Sequence, residues 1–241
     1  MPDNKIEILK VLVGSRAHGV AGEESDSDYR GVFVIPTSDL LKLGPKPVTT
    51  QWIEGDVDNT SYELSHFLFL ATKSNPNILE VFKGNPIRPE DGRGKSLSLL
   101  WGDTLLALFP HVWSSVGVFD AFTGYGHNQR TKMLANKDGR MDKYAVAWLR
   151  TLYNAQQLLT EGNFKLSVVG TSIETTLRNW RGGHSDWLNA GRRESLTPGE
   201  VIDTCMEWEL KVREAFSKNS DKQTNVDAVN DYLLSVRKAF W

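Results

Sequence analysis

Asp26 and Asp28 stand one residue apart between two apolar runs, and the first of those runs ends in Gly14-Ser15. In an extended segment, residues i and i+2 point to the same face, so the two carboxylates would act as a pair. Paired carboxylates hold hard divalent cations such as Mg2+ or Mn2+ through oxygen. A Gly-Ser turn at the end of a buried strand offers a phosphate its backbone N–H groups, with no side chain at the glycine to block approach. A carboxylate pair beside such a turn is the equipment of metal-assisted phosphoryl or nucleotidyl transfer. Arg16 and Arg30 flank these residues and are placed to offset phosphate charge through bidentate contacts.

Two-metal transfer needs a further carboxylate on a neighbouring strand, to serve the ion on the acceptor side. Residues 51–61 alternate apolar and acidic, and Glu54, Asp56 and Asp58 would share a face if the stretch were one regular strand. One bulge would change which of them faces the pair.

Gly14-Ser15, a ten-residue gap and Asp26-Ser27-Asp28 resemble the signature of the DNA polymerase beta-type nucleotidyltransferase superfamily. The fuller pattern, GSRAHG followed by SDSDYRGVFVIP, is closest to its RNA-ligase-associated branch in bacteria and phages. That branch continues with a Tyr-x-Leu-x-x-Phe helix and an Asn-Pro-x-x-Leu-Glu segment. Here they appear as Tyr62-Glu63-Leu64-Ser65-His66-Phe67 and Asn75-Pro76-Asn77-Ile78-Leu79-Glu80. The resemblance implies a Mg2+- or Mn2+-dependent transfer of NMP from an NTP, with ATP expected, to a hydroxyl acceptor, with RNA the implied partner. It implies metal binding by Asp26, Asp28 and Asp58, because relatives carry an Asp just ahead of that helix. Asp56 stays an alternative to Asp58. Gly14, Ser15, Arg16 and Arg30 are the expected nucleotide contacts, together with Lys143 and Arg150, which resemble a basic pair of this branch. Two other readings stand beside this one: nucleotidylation of a protein side chain, and a module that binds nucleotide or partner without catalysis.

The elements that must position these residues follow from periodicity. Residues 5–13 and 28–35 are apolar strands, 36–50 an irregular excursion, and 51–61 a third strand. From Tyr62 the apolar residues recur at three and four, which is helical, until Asn75-Pro76 interrupts. The Gly- and Pro-rich stretch 84–94 is the expected boundary between domains 1–92 and 93–241. Beyond it, 95–108, 116–137, 141–160, 171–180, 198–217 and 225–241 are patterned as helices. The expected fold is therefore α+β: a small mixed β-sheet nucleotidyltransferase domain followed by an all-helical domain for substrate or partner. Lys143 and Arg150 fall on one helix face two turns apart and are expected to be accessible. Arg130, Lys132 and Lys137 form a second basic cluster near Tyr125 and His127, and 178–184 combine Arg, Trp, Gly and His184.

A net charge of −2 sets up no global positive field, so any RNA contact must be local. The single cysteine, Cys205, excludes an internal disulfide and has no His or Cys near it in sequence, which points to an inert helix residue. No apolar run approaches the roughly 20 residues of a membrane span, and the first residues carry acids instead of an apolar core, so no membrane partner is expected and the cytoplasm is the expected location.

Overall fold

A computed structural model describes residues 5–22, 25–43, 52–53, 59–87, 97–136, 139–181 and 196–241; at 52–53 and 97–99 it describes the backbone alone. By packing, the chain forms two compact units. One comprises Met1–Ala17, Asp26–Ser114 and Gln223–Trp241, and the other His18–Ser25 and Ser115–Lys222. The stretch expected as the boundary lies from residue 88 to its end outside the described residues.

The first unit is built on a mixed sheet of strands β1 (Ile6–Val13), β2 (Asp28–Val34), β3 (Trp52–Ile53) and β4 (Asn59–Glu63), in the order β1-β2-β4-β3. β1 and β2 are antiparallel, β2 and β4 parallel, and β3 and β4 antiparallel. Residues 51–61 are therefore not one strand. Trp52 pairs with Ser61 and Ile53 with Thr60, so the segment folds back on itself. Glu54, Asp56 and Asp58 belong to the connection, which lies outside the described residues. Helices α1 (Gly14–His18) and α2 (Thr37–Leu41) follow β1 and β2, and α2 occupies part of the stretch expected to be irregular.

α3 (Leu64–Thr72) starts two residues later than the Tyr62 pattern suggests, because Tyr62 and Glu63 complete β4. Glu63 is the N-cap, and its Oε2 accepts from the Ser65 N–H at 2.8 Å. α4 (Pro76–Val81) is capped by Asn75, whose side chain accepts from the N–H groups of Asn77 and Ile78, with Pro76 in the first turn. A run of aromatic contacts, Phe67–Phe82 at 5.2 Å and Phe82–Phe109 at 5.9 Å between centroids, continues the core beyond the sheet. α5 (Leu97–Ala107) packs on β1 where the register shifts between Glu7 and Leu9. A β-carbon on Gly102 would fall on the Ile8 carbonyl, so only glycine allows that approach.

The C-terminal segment belongs to this unit. For the helices of the second unit, α6 is Ser115–Ala135, α7 Met141–Glu161, α8 Glu174–Trp180 and α9 Pro198–Lys218; the chain then returns with α10 (Val226–Ala239). Arg237 of α10 pairs with Glu63 at 2.6 Å, where Glu63 is 1% and Arg237 14% exposed. Arg237 also donates to the Ile35 carbonyl at 3.2 Å, and its own carbonyl accepts from Thr37 Oγ1 at 2.6 Å. Tyr232 donates to the Trp101 carbonyl at 2.7 Å, and burial raises its phenol pKa.

In the second unit α6, α7 and α9 pack together, with Gly126 of α6 against the indole of the fully buried Trp148 of α7. Cys205 on α9 is buried, and burial first, then the Glu209 charge, raises its thiol pKa, as an inert thiol requires. Thr197 caps α9 by accepting from the Glu200 N–H at 3.3 Å. No helix among the described residues is long and apolar enough to cross a membrane.

Two stability effects follow. Removing one partner of a buried ion pair leaves a buried charge and costs about 3–5 kcal/mol. Arg237→Met should lower unfolding free energy by about that much, and adding Glu63→Gln should restore part of it, measured by chemical denaturation. An unchanged midpoint in Arg237→Met would refute the coupling. The second effect concerns Lys83, whose ammonium lies 3.3 Å from the centroid of the Phe109 ring and whose pKa burial lowers from 10.5 to about 8. Between those values the folded state binds fewer protons than the unfolded state, so this lysine makes stability rise with pH. Lys83→Met should flatten that rise in a denaturation series between about pH 8 and 10.5.

Candidate functional site

The last residue of β1, Val13, pairs with the first residue of β2, Asp28. That register puts the Gly14-Ser15 turn beside the start of the acidic strand. Gly14 has φ +70°, and a β-carbon there would coincide with Oδ2 of Asp28. The Asp28 carboxylate thus occupies the space that glycine's missing side chain leaves. Asp28 is half-buried and Asp26 exposed, so the sequence-adjacent pair differs in its surroundings.

Ser15 is half-buried in α1, Arg16 is exposed, and His18 is buried, which favours packing over ligand contact for the histidine. Arg30 turns back on the chain, donating from Nη1 to the Tyr29 carbonyl at 2.8 Å. Tyr29 lies under the Lys10 ammonium at 5.3 Å, and Tyr62 meets the rings of His66 and Phe67. These tyrosines pack against neighbouring side chains. β4 runs parallel to β2 with Asn59 level with Tyr29. Asp58, one peptide bond before Asn59, and its alternative Asp56 lie outside the described residues. Among the described residues no group of three or more metal-ligating side chains occurs.

The other two expected contacts belong to the helical unit. Lys143 is exposed near the start of α7, whereas Arg150 is 6% exposed. They share a helix face but not an environment, and the expectation that both are accessible is corrected for Arg150. A guanidinium this buried is part of the packing, so truncating it should also lower stability. In the other basic cluster the cations lie over rings: Arg130 over Trp148 at 5.9 Å and Lys132 over Tyr144 at 6.0 Å, while His127 approaches Glu209 at 3.5 Å. Lys137 and 182–184, including His184, lie outside the described residues. Sequence reasoning missed Glu63 as a capping and ion-pairing group; glutamate is not among the preferred N-cap residues, so no local pattern marked it.

A glycine-serine turn abutting the Asp-x-Asp start of the next strand, on a small mixed sheet backed by helices, is the arrangement of the polymerase beta class of nucleotidyltransferase domains. The chain belongs to the RNA repair pathway DNA polymerase beta family, RlaP, whose profile matches residues 3–235. No curated protein shows significant similarity to it.

Forcing a side-chain-bearing residue into the left-handed region costs about 1–2 kcal/mol, and here the new methyl also meets Asp28. Gly14→Ala should therefore destabilise the protein by more than that strain alone, while Gly14→Ala combined with Asp28→Ala should be more stable than the two single effects added together. Strict additivity in chemical denaturation would show that the contact contributes nothing.

Proposed function

We propose that the protein is a metal-dependent nucleotidyltransferase that passes a nucleoside monophosphate from an NTP, ATP in the first instance, to a hydroxyl of RNA. Family membership supports the reaction class and the repair setting. The observation that carries the site is the Asp28 carboxylate packed against the Gly14-Ser15 turn, which keeps an oxygen donor and a phosphate-accessible backbone together. Carboxylate oxygens match the preference of Mg2+ or Mn2+, and Asp26 and Asp28, with Asp58 as the third, would hold the ions. Bound there, the ions would stabilise charge on the phosphates and on the attacking and leaving oxygens.

The protein's own groups do the rest of the work in this reading. Gly14 lets the Asp28 carboxylate lie against the turn, and Ser15 donates its hydroxyl and N–H to the β- or γ-phosphate. Arg16 and Arg30 offset the remaining charge. Asp58 orients the acceptor hydroxyl and accepts its proton. The hydroxyl oxygen bonds to the α-phosphorus, the bond from that phosphorus to the bridging oxygen breaks, and pyrophosphate leaves. Lys143, exposed near the start of α7, is assigned to a phosphate contact with RNA, and Arg150 to the packing behind it.

The test is incubation with each α-labelled NTP, Mg2+ and RNA. Label on RNA that depends on Asp28 is the expected result. Losing one charged contact costs about 1.5–3 kcal/mol, so Asp28→Ala should weaken Mg·NTP binding by about one to two decades or more. Asp58→Asn should abolish transfer with little loss of NTP affinity, and Asp56→Asn should be mild; the reverse order would move the third carboxylate to Asp56. Label on protein in place of RNA would assign the acceptor to a side chain, and wild-type affinity for Mg·NTP in Asp28→Ala would remove the site.

A further inference from the structure

α7 carries polar residues on one side, near its start and through its C-terminal half. Lys143, Arg150, Asn154, Gln157 and Glu161 follow one another at helical spacings that keep them on that face. Lys143 and Glu161 are exposed at the two ends, and Arg150 and Asn154 are buried between them. Asn154 is 1% exposed, and neither its Oδ1 nor its Nδ2 has a hydrogen-bond partner among the described residues. A buried amide with both ends unpaired is destabilising where leucine would pack without that penalty.

The C-terminal part of the same face opens into a cavity of about 390 Å3. Tyr153, Gln157 and Glu161 of α7 line one side, and Asn163, Lys165 and Ser172 of the segment between α7 and α8 line the other. That segment is held in shape by its own hydrogen bonds. Val168 N–H donates to the His18 carbonyl at 3.0 Å, Thr171 N–H to the Val168 carbonyl at 3.0 Å, and Gly170 N–H to Glu174 Oε2 at 2.6 Å. The Tyr153 ring is fixed edge-on against Trp208 at 5.4 Å, and burial followed by the Glu161 charge raises its phenol pKa, which keeps the hydroxyl a donor. Among the described residues the side chains of Asn163, Lys165 and Ser172 make no hydrogen bond or ion pair. Gln157 uses Nε2 on Gln156 at 2.7 Å.

We propose that this cavity takes one unpaired nucleotide of an RNA strand. The proposal rests on the reading of RNA as the acceptor. The chemistry of the lining fits each part of a nucleotide. Amides and a carboxylate read the edges of a base, an aromatic ring supports its face, hydroxyls meet the ribose, and Lys165 meets phosphate. The volume is within the range of small-ligand sites, about 300–1,000 Å3. A lone carboxylate facing a lysine is a poor cation site, and the polar lining is a poor match for lipid.

The experiment measures anisotropy of a 5′-fluorescein single-stranded RNA dodecamer with the full chain, and of the same sequence as a duplex. The wild type should prefer the single strand. Gln157→Ala and Lys165→Ala should each weaken single-strand binding about tenfold, the scale of one lost polar contact, without changing Mg·NTP affinity. Equal affinities in wild type and both variants would overturn the proposal. So would equal binding of duplex and single strand, or no RNA binding by the wild type. Failure of the catalytic reading would show instead in Asp28→Ala and NTP, a different variant and a different ligand.

Discussion

The sheet unit depends on one carboxylate. Glu63 ends β4, caps α3 through Oε2, and pairs through Oε1 with Arg237 near the end of the chain. It is nearly inaccessible to solvent, so its charge is tolerable only because both oxygens are engaged. One oxygen fixes the point where strand turns into helix. The other fastens α10, which also holds the chain after β2 through Ile35 and Thr37. β4 lies beside β2, and β2 begins with Asp28. An interaction between residues far apart in sequence thus holds the strand next to the acidic one.

The acidic strand is in turn tied to the phosphate turn by a steric constraint. The Val13–Asp28 pairing fixes the height of Asp28 along β1, and Gly14 at positive φ leaves the space that its carboxylate fills. Both requirements fall on the same glycine. Any other residue at position 14 would be strained by its backbone and crowded by the aspartate at once. This explains, in terms of this structure alone, why a glycine and not merely a small residue stands where the first strand ends.

Local signals in the sequence carried the local features well. Gly14-Ser15, the two main strands, the Asn75 cap and the long helices all follow from periodicity and capping chemistry over a few residues. What was not legible is what depends on distant partners. The alternation of 51–61 satisfies a strand pattern, yet Trp52–Ile53 pair back on Thr60–Ser61, because two short strands carry the same alternation as one longer strand. Arg150 and Lys143 share a helix face by arithmetic, but which neighbours cover the Arg150 end is a tertiary fact. The Glu63–Arg237 pair joins opposite ends of the chain, and no spacing rule reaches that far. For the site, Gly14, Ser15 and Asp28 come together as their spacing suggests, while the third carboxylate rests on family resemblance.

Charge distribution gives the last constraint on how such a chain could act on RNA. With net charge −2, long-range attraction to a polyanion is weak, so affinity has to come from short-range contacts that neutralise few phosphates and recognise bases. The α6 cations, Lys132 exposed and Arg130 half-buried, lie over aromatic faces, which fixes their direction without cancelling their charge. On α7 the buried members of the polar face are a guanidinium and an amide, groups whose hydrogen-bonding geometry is directional. Both lie inside the packing, so any contact with a strand would fall to exposed groups such as Lys143 and Lys165. A weak global field therefore argues against general electrostatic capture of a polyanion.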